Sequence, residues 1–180
     1  MDSYRKNVIG YFMFLKGLGF EVLEKTDDNI VSFQGKHNRL DVEFYPIGYE
    51  IECLFVDNNN KSFWLQDGLN YIGLDEYKGM YQVANQQEII KGVIYLARAV
   101  SILFSAVDIR EQNNFNKIYL SAIANQDKLQ SDYYIETDLK RADSFWDKKE
   151  YNKAQELYEK HESSLTKSQQ LKLKYIKKHI

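Results

Sequence analysis

Between residues 20 and 65 short apolar segments alternate with clusters of turn-forming residues, and this spacing constrains the fold more than any other feature. The apolar segments comprise residues 20–22, 30–33, 40–44, 49–55 and 62–65. The clusters between them are rich in Asp, Asn and Gly, which favour turns. Segments of this length at this spacing predict an antiparallel meander of about five strands.

Helical patterns lie on both sides of the predicted sheet. An N-terminal helix is expected from a cap at Asp2 or Ser3, and glycines at positions 17 and 19 end it. Residues 66–82 predict a loop with one short helix. Residues 84–107 predict a long helix, apolar on most sides and therefore buried against the sheet.

The remaining chain has helical periodicity throughout. It predicts a helix over residues 115–123, a further helix capped by Ser131 or Thr137, a helical hairpin over 142–158 and a last helix over 166–179. We therefore expect an α+β fold. Residues 1–130 form the α+β core domain, and residues 131–180 form a C-terminal helical extension, expected to pack on the core.

Composition favours an intracellular binding protein. The only cysteine, Cys53, cannot form an intrachain disulfide, and its place in an alternating segment predicts a core-facing thiol. No signal peptide is recognisable, and the apolar run at residues 92–107 contains Arg98, so we expect a cytoplasmic protein without a membrane partner. Arg98 itself predicts a structural ion pair or a snorkelling side chain.

No familiar catalytic or cofactor-binding motif is present, so no catalytic residue, cofactor or metal is predicted. The three histidines, His37, His161 and His179, are expected at the surface. The net charge of −2 argues against a nucleic-acid partner, and the lysines of the last helix fit its dipole.

The hairpin of residues 39–56 carries the strongest functional signal. If residues 45–48 form its loop, Glu43 opposes Glu50 and Asp41 opposes Glu52 on the face away from the apolar side chains. Each like-charge pair costs up to about 1 kcal/mol, so folding alone does not favour this arrangement.

Such an acidic strip has several interpretations. It attracts a basic protein partner, it holds a divalent cation, or it is a solvated face that Lys25, Lys61 or a helix-borne lysine neutralises. An exposed tryptophan on the next strand would add an aromatic anchor. The predicted partner-binding residues are Asp41, Glu43, Glu50, Glu52 and Trp64.

Near the C-terminus, Phe145, Trp146, Tyr151, Ala154 and Tyr158 form a pattern that resembles the middle of a tetratricopeptide-type helical hairpin. Small and aromatic residues interlock two antiparallel helices in that family. The pattern occurs once, so a superhelical peptide-binding array is not predicted.

Taken as a whole, the order of helix, antiparallel meander, long apolar helix and helical tail resembles the small immunity proteins of bacterial polymorphic toxins. The resemblance implies neutralisation of a cognate toxin through acidic residues that face a basic toxin surface. Two alternatives stay open: an adaptor that binds through the tetratricopeptide-like tail, and an enzyme of unrecognised type using the hairpin carboxylates and Arg98. The oligomeric state and the identity of the partner stay open as well.

Overall fold

The computed structural model describes residues 2–24, 27–85 and 88–179 and confirms the α+β class. Within these ranges the helices are α1 (Asp2–Tyr11), α2 (Phe14–Gly17), α3 (Leu65–Tyr71), α4 (Ile89–Ala106), α5 (Gln112–Asp147), α6 (Tyr151–Lys160) and α7 (Lys167–His179). The strands are β1 (Glu21–Val22), β2 (Ile30–Gln34), β3 (Asn38–Tyr45), β4 (Glu50–Asp57), β5 (Ser62–Trp64) and β6 (Met80–Gln82). The chain divides into two compact units, Met1–Ile123 and Ala124–Ile180.

The predicted meander is confirmed. The strands pair antiparallel in the order β1-β2-β3-β4-β5, and β6 pairs with the first residues of β4 beside β5. Strand β6 and helix α3 lie in the stretch predicted as a loop with one short helix. The Gln66 Oε1 atom accepts a hydrogen bond of 2.8 Å from the Gly79 backbone N–H, which ties the start of α3 to the residue before β6.

One face of the sheet forms the main core. Eight apolar side chains of this face are at most 2% exposed, namely Val31, Phe33, Leu40, Val42, Ile51, Cys53, Phe55 and Phe63. Helices α1 and α4 pack against this face, with Tyr4 and Val8 from α1 and Val93, Leu96 and Val100 from α4 in the same cluster. Phe12, which directly follows α1, belongs to the cluster as well. The buried position predicted for Cys53 is therefore confirmed.

Helix α4 begins at Ile89, later than predicted, and is 18 residues long. By length and composition it is the one described helix apolar enough to cross a membrane, and the structure uses it as a core helix against the sheet. Arg98 lies on its exposed side, as a snorkelling side chain does.

Helix α5 corrects the predicted break near residue 131. It runs without interruption from Gln112 to Asp147, and the proposed caps Ser131 and Thr137 are exposed residues inside it. No Gly or Pro occurs within this range, so nothing in the sequence forces the helix to end. The predicted domain boundary lay at residues 130/131, and the structural units meet at 123/124.

The C-terminal unit has its own core and contains the predicted helical hairpin. Helices α5 and α6 are joined by residues 148–150, where Lys149 has φ 62°. The buried residues are Leu139, Ala142, Ala154, Tyr158, Leu165, Leu173 and Ile176. The tetratricopeptide likeness of this hairpin and the packing of the helical extension on the core stay predictions.

One histidine differs from the expected surface position. The His161 side chain is only 13% exposed, and its Nε2 atom lies 2.9 Å from Asp138 Oδ2. His161 is therefore a structural residue of the C-terminal unit.

Candidate functional site

The second face of the sheet, which we call the outer face, points away from α1 and α4. Its residues are Ile30, Ser32, Gln34, Arg39, Asp41, Glu43, Tyr45, Glu50, Glu52, Leu54, Val56, Ser62, Trp64, Met80 and Gln82. Among the described residues, none of these belongs to either hydrophobic core. Every one except Asp41 is partly or fully exposed, so the described residues leave this face of the sheet uncovered.

The register of the central hairpin differs from the predicted one by two residues. Glu43 pairs with Glu52, and Tyr45 pairs with Glu50, so the predicted pairs Glu43–Glu50 and Asp41–Glu52 are wrong. The loop is residues 46–49, because the chain turns through a left-handed residue, with φ 51° at its last position. A shift of two residues keeps each side chain on its predicted face, since side chains alternate with a period of two.

Asp41 is not part of an exposed acidic strip. It pairs with Leu54 on β4 and is only 4% exposed. The Arg39 Nε atom lies 2.9 Å from its carboxylate and donates a hydrogen bond to Oδ2, whereas the buried Oδ1 accepts no hydrogen bond. Arg39, the one arginine among the outer-face residues, therefore forms its ion pair with Asp41.

Glu43, Glu50 and Glu52, which we call the acidic group, remain at the surface. The Tyr45 hydroxyl donates a hydrogen bond to Glu43 Oε2, which fixes that carboxylate. Burial, followed by the charges of Glu50 and Glu43, raises the pKa of Glu52. Burial, followed by the hydrogen bond to Glu43, also raises the pKa of Tyr45. The neighbouring carboxylates thus add to the effect of burial in both shifts.

The lysines expected to neutralise this charge do not do so in the described part of the chain. The Lys61 Nζ atom lies 3.2 Å from Asn116 Oδ1 and 5.5 Å from the centroid of the Tyr119 ring. Lys25 lies outside the described residues. No Lys, Arg or His in the described ranges forms an ion pair with the acidic group.

Apolar side chains surround the acidic group. Trp64 is 39% exposed, which confirms the exposure predicted for it, and it pairs with Leu54. Ile30 pairs with Glu43 from β2, and Met80 pairs with Glu52 from β6. Sequence reasoning missed Met80 because β6 has only three residues among glycines, and the alternation of apolar residues is too short there to be recognised.

The structure does not bring the hairpin carboxylates together with Arg98. Arg98 is on α4, which packs on the core face, so the sheet separates it from the acidic group. A pocket of about 360 Å³ opens elsewhere, lined by Phe12, Met13, Lys16, Phe20, Glu21, Val22 and Phe33. No cluster of three or more His, Cys, Asp or Glu side chains within the described ranges is arranged to hold a metal ion.

Comparison with known proteins adds no relative to this picture. The chain matches no protein-family model, no curated protein and no solved structure.

Proposed function

We propose that the chain is a protein-binding module whose outer face receives a basic partner. The observation that carries this proposal is the direct opposition of Glu43 and Glu52 on a sheet face that α1 and α4 leave uncovered. Glu50 lies next to this pair on β4, and no described cation is paired with any of the three.

Folding does not account for this arrangement. Like charges directly opposite each other on neighbouring strands destabilise a sheet, by roughly 0.2–1 kcal/mol per pair. A basic partner surface relieves the repulsion, and long-range attraction to the acidic group increases the association rate. The repulsion between Glu43 and Glu52 that destabilises the free chain is thus replaced by attraction to the partner in the complex.

The apolar residues around the acidic group supply the second half of such an interface. Trp64 and Met80 are 39% and 36% exposed, and Leu54 lies between the tryptophan and the carboxylates. Aromatic residues and Met are enriched at protein interfaces, and Trp is frequent among the few residues that carry most of the binding energy. A partner that combines basic and apolar side chains fits this surface.

Toxin neutralisation in the cytoplasm is the particular form of this proposal that we favour. It rests on the general likeness to immunity proteins in the order of the elements, and on the acidic surface, which suits a basic toxin. In this form the partner is a single protein that binds one-to-one, and its activity falls when the complex forms.

The test compares three tagged proteins in affinity capture from the native cells. They are the wild type, the variant Glu43→Gln/Glu52→Gln, and the control variant Glu111→Gln/Glu156→Gln, which loses the same charge at exposed positions that are not part of the outer face. We expect one basic protein to be captured by the wild type and the control and lost by the first variant. Equal capture by all three proteins would remove the outer face from the mechanism.

An adaptor role of the helical tail is the second candidate. Helix α7 exposes Leu171 at 69% and Tyr175 at 50%, four residues apart and therefore on one side of the helix. In the same capture experiment, Leu171→Asp separates the two roles. Loss of the partner with this variant and not with Glu43→Gln/Glu52→Gln would favour the adaptor.

A further inference from the structure

We infer that the partner presents an arginine side chain whose guanidinium group lies between Glu43 and Glu52. This inference rests on the proposed function and names the chemistry that the outer face recognises. It depends on the geometry of the two carboxylates, on their apolar neighbours and on how the chain uses its own cations.

The geometry of the two carboxylates suits a planar, forked donor. Glu43 and Glu52 are directly opposite each other on β3 and β4, with Cβ atoms about 4.5–5.5 Å apart. The Tyr45 hydroxyl occupies Glu43 Oε2, so that carboxylate has a fixed orientation and a second oxygen left to accept a hydrogen bond. A guanidinium group has five N–H donors in a rigid plane and bridges two carboxylates, whereas an ammonium group is a compact point charge.

The surroundings of the carboxylates favour the same side chain. Ile30, Glu43, Glu52 and Met80 lie in one row across four strands, so an apolar side chain closes each end of the row. A cation that enters this row loses part of its hydration shell. Guanidinium is more weakly hydrated than ammonium, and its flat faces pack on apolar and aromatic groups such as the nearby Trp64.

The chain does not supply this cation from its described residues. Arg39, on the same face, hydrogen-bonds to Asp41, and Lys61 is directed to Asn116 and Tyr119. Within residues 2–24, 27–85 and 88–179 no cation pairs with Glu43 or Glu52, and we assign the position between them to the partner's arginine.

The experiment titrates the isotope-labelled full chain with two peptides, hexa-arginine and hexa-lysine, under identical salt conditions. Backbone amide shifts in nuclear magnetic resonance spectra locate the binding site and give both dissociation constants. Because a guanidinium group reaches both carboxylates with its planar fork of donors and an ammonium group acts as a point charge, we expect hexa-arginine to bind about tenfold more tightly. The shifts should centre on residues 43, 52, 54 and 64.

Two variants separate specific from general electrostatic binding. In Glu43→Gln/Glu52→Gln the ratio of the hexa-lysine to the hexa-arginine dissociation constant should fall to about one, since neutral amides leave only nonspecific attraction. Glu111→Gln/Glu156→Gln, which removes the same charge elsewhere, should retain the full preference. Persistence of the preference in the first variant would place arginine recognition elsewhere and overturn the inference.

The remaining outcomes distinguish this inference from the proposed function. Equal affinity for the two peptides, with both lost in Glu43→Gln/Glu52→Gln, would overturn the arginine preference and leave a basic partner in place. The absence of shifts on the outer face with either peptide would count against both.

Discussion

Glu43 on β3 faces Glu52 on β4 across the centre of an uncovered sheet surface, and Tyr45 holds the Glu43 carboxylate through its hydroxyl. In the proposed function this pair links stability to binding, because the repulsion that weakens the free chain is what would attract a basic partner. Residues kept for function at a cost in stability are common at binding sites.

Removing one charge of this pair should stabilise the free protein. The pKa of Glu52 is raised by burial and by Glu50 and Glu43, so the folded state binds more protons than the unfolded state just above the usual glutamate pKa. The contribution of Glu52 to the free energy of unfolding is therefore fully present at low pH, and it is lost as pH rises through the folded-state pKa. Glu52→Gln should raise the free energy of unfolding at pH 7 by roughly 0.2–1 kcal/mol, measured by urea denaturation.

The gain from Glu52→Gln should disappear at pH 3, where the wild-type carboxyl is also neutral. Glu156→Gln, at an exposed position of α6, is the matched control and should leave stability unchanged at both pH values. A Glu52→Gln protein less stable than the wild type at pH 7 would contradict the unrelieved repulsion.

Two glycines should respond to alanine in opposite directions. A Cβ atom at Gly79 would lie 2.6 Å from the Gln66 Cα atom, which belongs to the backbone and cannot rotate away as the end of a side chain can. Gly79→Ala should therefore lower the free energy of unfolding by about 1–3 kcal/mol. Gly10→Ala, at an exposed site of α1 with no atom near the new Cβ, should raise it by about 0.5–1 kcal/mol. Thermal and urea unfolding measure both, and a tolerated Gly79→Ala would contradict the close approach of α3 to β6.

The sheet could be predicted from the sequence because its strands alternate apolar and polar residues over most of their length. The same periodicity placed Asp41, Glu43, Glu50, Glu52 and Trp64 on one face correctly, since parity alone decides the face. The register could not be predicted in this way. It depends on the loop conformation, and a left-handed tyrosine at the last loop position has no sequence signature.

Burial of individual site residues also lay beyond the sequence. Asp41 has the same alternation as Glu43, but the shifted register pairs it with Leu54 on β4. Arg39, two residues earlier on the same strand, hydrogen-bonds to its carboxylate. Ile30 lies beside Glu43 and Met80 lies beside Glu52 because of strand pairings that no local sequence pattern specifies.

In the C-terminal unit, Asp138 should make stability depend on acid pH. A hydrogen bond with His161, followed by one from Lys160, lowers the pKa of Asp138 to about 2. A lowered folded-state pKa stabilises the protein above the unfolded value, and this contribution is lost as pH falls through about 4 towards 2. Asp138→Asn should destabilise the unit at pH 7 and approach the wild type at pH 2, followed by urea unfolding with nuclear magnetic resonance signals of α6 and α7. Asp147→Asn, which is exposed, is the control, and equal loss at both pH values would contradict the electrostatic origin.

Tyr158 should stabilise the same unit through its hydroxyl. The ring is fully buried, and the hydroxyl donates a hydrogen bond of 2.7 Å to Asp143 Oδ1, where Lys172 also binds. Tyr158→Phe should lower the free energy of unfolding by about 1.5–3 kcal/mol, because the acceptor is charged. Tyr151→Phe, which removes a hydroxyl without a hydrogen bond to a described residue, should have little effect in the same denaturation experiment.

The middle of α5 should be its least stable part. Residues 123–134 are all exposed, including Leu129 at 71% and Tyr133 at 66%, whereas Phe115 and Ala142 in the same helix are fully buried. A helical segment of this length gains no stability from packing, and short helices without packing are marginal in water. Amide hydrogen exchange should therefore be fastest at residues 124–134 and slower near Phe115 and Ala142. Leu129→Ala should leave this profile unchanged, because the side chain lies in solvent. Uniform protection along the whole helix would contradict the prediction and mean that another surface covers the exposed segment.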